Sequence, residues 1–179
     1  MTEKASPAAP ILPSHARPSP AAAYRVETWG CQMNVLDGQR MAGQLETRGL
    51  RPADDGEDAG VVLLNTCMVR EKAESKVFSA LGVLARRKQE NPELIVGVTG
   101  CVAQVSGEEI LERAPWVDFV AGTGQVEQIS ELVERTRSER RQALARELPE
   151  EDPVYQFRAI ARDSACQADV TVIEGCDQY

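Results

Sequence analysis

The chain has one histidine, His15, among 179 residues, and it lies in a proline- and alanine-rich opening stretch. Cys–His nucleophilic catalysis and Cys/His zinc sites therefore have no histidine to draw on. No two cysteines are separated by two residues, which removes thioredoxin-type redox chemistry and zinc-ribbon spacing. Positive charge is also short: 20 Lys and Arg against 28 Asp and Glu leave a formal charge of −8. Phosphate contacts need clustered cations, so such a chain is a poor stand-alone nucleic-acid binder. An RNA substrate would have to be held mainly by another domain or a local patch. No run approaches the roughly 18 apolar residues of a membrane span. No charged-then-apolar leader opens the chain either. The expected setting is the cytoplasm, where five cysteines serve as ligands or bystanders rather than disulfides.

The remaining composition, 42% hydrophobic and 27% charged, suits one domain with a real core. Residues 1–23 hold five of the ten prolines and lack apolar periodicity, so they read as a disordered tail. From residue 24 the pattern is βαβα. Short apolar runs at 24–29, 61–64, 94–98 and 116–120 read as strands. Segments at about 35–47, 70–90, 106–113 and 125–144 read as helices, the third opened by the capping box Ser106-x-x-Glu109. The acidic stretch at 52–60 reads as a solvated connection. Arg86, Arg87 and Lys88 read as cations complementing a helix C-terminus. Gly122-Thr123-Gly124 lacks the further Gly and Lys of a phosphate loop. The expected fold is α/β, a flavodoxin-like open parallel sheet of about four or five strands with helices on both faces. The domain spans 24–146. A linker rich in Pro and acid follows at 147–170, and a new strand opens at 171–173.

Cys31, Cys67 and Cys101 each follow one of the first three strands, 36 and 34 residues apart, about one strand–helix unit apiece. In a parallel sheet all three thiols stand at the carboxyl edge, where open α/β sheets bind ligands. Single cysteines usually pack as small buried hydrophobes, and that reading stays open for each. Together they suit an iron–sulfur cluster, whose usual ligands are thiolates. Cys166, in a polar stretch, reads as a bystander.

The motifs around these residues are Gly30-Cys31-Gln32-Met33-Asn34, Asn65-Thr66-Cys67-Met68-Val69-Arg70-Glu71 and Gly100-Cys101-Val102-Ala103-Gln104. They resemble the three cysteine motifs of the radical-SAM methylthiotransferases. Glu174-Gly175-Cys176-Asp177-Gln178-Tyr179 is similar to the start of that family's catalytic domain. Cys-Gln-Met-Asn and Asn-Thr-Cys-x-Val-Arg-Glu resemble the tRNA branch, which methylthiolates C2 of isopentenylated adenosine beside the anticodon. The resemblance implies that Cys31, Cys67 and Cys101 bind an auxiliary 4Fe-4S cluster. It implies that Cys176 is the first ligand of a second 4Fe-4S cluster, which cleaves S-adenosylmethionine in the full-length enzyme. It also implies a tRNA substrate in the full-length enzyme; the missing apolar run argues against a membrane, and a monomer is expected.

The family's second motif is Cys-x-x-x-Cys-x-x-Cys, and only its first cysteine is present before Tyr179. Residues 171–179 thus read as a truncated start of the radical-SAM domain, and the chain is expected to be inactive alone. Two other readings compete: a non-catalytic interaction module without metal, and a zinc-binding structural domain using Cys31, Cys67, Cys101 and Cys176 or water.

Overall fold

A computed structural model describes residues 22–68, 73–139, 142–146, 160–161 and 166. The tail up to residue 21, most of the linker, the strand expected at 171–173 and Cys176 lie outside the described residues. In chain order the elements are β1 (Ala23–Trp29), α1 (Gln32–Thr47), β2 (Arg51–Pro52), β3 (Val61–Thr66), α2 (Ala73–Glu90) and β4 (Ile95–Gly100). Then come α3 (Cys101–Arg113), β5 (Phe119–Ala121), a 3-10 segment (Thr123–Gln128), α4 (Ile129–Glu139) and β6 (Ala143–Ala145).

The continuous apolar runs explain the sheet. Every residue of β3 and β4 is buried, as expected for strands covered on both faces. Alternation then assigns the helices to sides. Val61, Leu63, Ile95 and Phe119 pack with Met41 and Leu45 of α1 and Ile129 and Leu132 of α4. Val62, Leu64, Val96 and Val98 pack with Val77 and Leu81 of α2 and Val102 and Ile110 of α3. All pairings are parallel, in the order β2-β1-β3-β4-β5-β6. This is the flavodoxin-like order extended by one edge strand. The strand order reverses between β1 and β3, which leaves a crevice at their carboxyl ends.

Six strands form where four or five were expected. The additions are the edges β2 and β6, two and three residues long, too short for any periodicity to mark. Residues 143–144, expected in the last helix, instead give the open edge of β5 a partner, with the Gly122 amide donating to the Ala145 carbonyl at 2.8 Å. α3 begins at Cys101, not near 106, although Ser106 keeps a non-helical backbone (φ −105°, ψ 20°) where the chain kinks. Trp116 lies in a turn before β5.

The acidic connection is more ordered than a solvated loop. Arg51 forms an ion pair with Glu57, the Asp54 amide donates to Glu57 at 2.9 Å, and Arg25 donates to the Asp54 and Glu57 carbonyls, each at 3.0 Å. The Arg51 hydrogen bond, helped by the Asp54 amide, holds the Glu57 carboxyl down at about 2, below its ordinary 4.5. A lowered folded-state value stabilises above the unfolded value, and that contribution is lost as pH falls through the folded one. Between about pH 4.5 and about pH 2, the melting temperature of the native chain should therefore fall more steeply than that of Glu57→Gln. Parallel curves would remove Glu57 from the acid response.

Candidate metal centre

The sheet register sets where the three thiols stand. Trp29 pairs with Thr66, and Thr66 with Gly100. Cys67 and Cys101 each lie one residue beyond that row, and Cys31 two residues beyond it. Adjacent strands are about 4.8 Å apart, so the cysteine backbones occupy three neighbouring positions on one edge. They flank and adjoin the β1/β3 switch point. Three residues remote in the chain thus share one end of the sheet.

Local packing keeps the three loops close. The Cys67 amide donates to the Trp29 carbonyl at 3.0 Å. A Cβ on Gly30 would stand 2.7 Å from the Cys67 Cβ, so no larger residue fits between the first two motifs. Gly100 has φ +89° and ψ −163°, a conformation essentially confined to glycine. It caps α3, and Cys31 caps α1. Neither makes a side-chain cap, and neither helix has an acid in its first turn. The positive dipole ends of both helices therefore face the thiol edge.

A buried amide pair adjoins them. Asn34 and Asn65 are 2% and 1% exposed. Asn34 Nδ2 donates to Asn65 Oδ1 at 3.1 Å, and Asn65 Nδ2 donates to the Asn34 carbonyl at 2.7 Å. The Cys31 thiol donates to Asn34 Oδ1 at 3.3 Å. Leaving one such buried group unpaired costs about 1–3 kcal/mol, so the pair is held as a unit. The sequence motifs contain both asparagines, but the expectations above gave them no role. The available signal was position: Asn65 continues the apolar row Val61, Leu63 on the α1 face with a polar residue.

The side chains differ in exposure. Cys67 is buried, Cys101 half-buried, and Cys31 exposed. Neither these three nor the exposed Cys166 is in a disulfide, and Cys176 lies outside the described residues. Among the described residues, no three His, Cys, Asp or Glu side chains form a group that could hold a metal ion. The donor set nevertheless fits an iron–sulfur cluster in kind: three thiols, two uncapped helix ends, and no acid in the first turns of α1 and α3. The Cys31 sulfur lies against Asn34 Oδ1.

Other candidates fall away from this edge. A cavity of about 520 Å³ lies between β1, β2 and α1, lined by residues including Tyr24, Arg25, Gln39, Glu46 and Ala161, and none of the three cysteines borders it. Of the cations ending α2, Arg87 pairs with Asp58 at 3.0 Å, and Lys88 pairs with Asp118 and donates to the Leu94 carbonyl at 2.7 Å. Arg86 stays exposed. No helix among the described residues is long and apolar enough to cross a membrane.

Comparison with known proteins bears on the same segment. Residues 23–122 match a family described as "Uncharacterized protein family UPF0004". The chain is 40% identical over 156 residues to the tRNA-2-methylthio-N(6)-dimethylallyladenosine synthase of Dictyoglomus thermophilum, covering 87% of this chain and 35% of that protein. Proteins of the same name are 42% identical over 164 residues in Mycobacterium bovis and 44% identical over 167 residues in Mycobacterium sp. (strain MCS). Those matches cover 90% and 92% of this chain and 31% of each relative. The chain thus spans about a third of the length of the curated relatives it matches.

Proposed function

This chain belongs to the uncharacterized protein family UPF0004, and on that footing we propose that it is the auxiliary 4Fe-4S-binding, amino-terminal domain of a radical-SAM tRNA methylthiotransferase. The reaction served is 2-methylthiolation of N6-isopentenyladenosine beside the anticodon. The observation that carries the reading is the placement of Cys31, Cys67 and Cys101 at the carboxyl ends of three adjacent parallel strands. The relatives' shared name supports the reaction class.

In this reading the three thiolates hold the cluster, which supplies the iron–sulfur chemistry of sulfur insertion when bound. Buried Cys67 anchors the middle of the site and keeps water from its inner side. The uncapped starts of α1 and α3 offset the negative charge gathered there. Cys176 is the first ligand of a second 4Fe-4S cluster in a longer protein, the one that works on S-adenosylmethionine. The protein is cytoplasmic and monomeric. Its tRNA is gripped chiefly outside this acidic domain, whose formal charge is −8.

A metal-free interaction module is the rival, favoured by the absence of a ready metal group among the described side chains. Anaerobic reconstitution with iron and sulfide separates the two. The proposal expects about four irons per chain and a visible absorption band that bleaches on reduction. Colourless protein with three freely titrating thiols would favour the module. Zinc that survives in air would instead point to a structural zinc site.

A further inference from the structure

We propose that Asn34 and Asn65 are a positioning pair that sets where the Cys31 sulfur stands relative to the other two thiols. The inference rests on the reading of Cys31 as a cluster ligand. The two amides form a closed exchange: Asn34 Nδ2 reaches Asn65 Oδ1, and Asn65 Nδ2 reaches the Asn34 backbone carbonyl. The short second bond fixes the face that Asn65 presents, and this in turn fixes Asn34 with Oδ1 toward the Cys31 sulfur.

The pair touches all three motifs. Asn34 belongs to the Cys31 loop and Asn65 to the strand that delivers Cys67. A Cβ on Gly100, the residue before Cys101, would stand 2.8 Å from Asn65 Oδ1. Cys31 also occupies the N-cap of α1, where a side chain ordinarily turns onto the helix N–H groups. It makes no such bond, and its thiol goes to the side chain three residues on. The most exposed of the three thiols is therefore tied to a buried anchor.

The test uses Asn34→Leu and Asn65→Leu, with Gln44→Leu as control. Gln44 is a comparably buried amide on the same helix, but it serves the Val126 carbonyl and the Ser130 amide, away from the thiols. Three quantities are read: the alkylation rate of Cys31 in the metal-free chain, the electron paramagnetic resonance spectrum of the reconstituted, reduced protein, and the melting temperature. Both asparagine variants should alkylate at Cys31 about tenfold faster and shift the resonance spectrum. The control should lower the melting temperature and leave the other two quantities unmoved. Native rates and spectra in the asparagine variants, or equal changes in the control, would overturn the positioning role. If the native chain takes up no cluster, the reading of Cys31 as a ligand fails. In that event the alkylation rates still decide whether the pair restrains the thiol.

Discussion

Cys31→Ala, Cys67→Ala and Cys101→Ala are each expected to cut iron uptake from about four to below about one per chain, whereas Cys166→Ala leaves it unchanged. The reason is the shared edge. Each strand supplies one thiol, and no histidine or neighbouring acid in the first turns of α1 and α3 can substitute. The substitutions are mild for the fold. Cys31 is exposed and Cys101 half-buried, while Cys67→Ala removes one sulfur from a site only 3% exposed. Circular dichroism should stay native in all four, so lost iron would report on ligation and not on unfolding. Iron retained by all three edge variants would reject the site.

Gly100→Ala should be among the most damaging single changes in the domain, costing about 2–4 kcal/mol. Two penalties coincide there. The backbone at φ +89° and ψ −163° is one that residues with a Cβ avoid. The added Cβ would also meet the Thr66 carbonyl and stand 2.9 Å from the Thr66 amide nitrogen, atoms of a central strand that cannot yield. Gly49 provides the comparison. Its φ is +81°, yet nothing lies within 4 Å of a Cβ built there. Gly49→Ala should therefore show backbone strain alone, about 1–2 kcal/mol. Urea midpoints measured for both variants separate the two terms. Equal losses would mean that the close approach of the second and third cysteine loops carries no energy.

Much of this architecture was legible because burial on both faces leaves a plain mark. The runs at 61–64 and 94–98 read as central strands, and parallel pairing then placed the cysteines that follow them. The edges were not legible. β2 and β6 are held by backbone hydrogen bonds at the rim of the sheet, and two or three residues carry no pattern. The early start of α3 was hidden because only Val102 and Ala103 of its first turn face the core, and the kink at Ser106 made the capping box look like the helix start. Asn34 and Asn65 were visible as motif letters only. Their partnership spans 31 positions, and nothing local in either segment announces it. The positions of the thiols were thus readable from strand order, whereas the direction of the Cys31 side chain depended on that long-range amide pair.

The central claim is that three thiols on one sheet edge hold one cluster. Mössbauer spectroscopy of the native chain, reconstituted anaerobically with isotopically enriched iron, tests it most directly. The expected result is a 4Fe-4S signal in which one iron differs from the other three, because three protein thiolates leave one iron with another ligand. A spectrum of four equivalent irons, of isolated ferrous ions, or of no bound iron would contradict it.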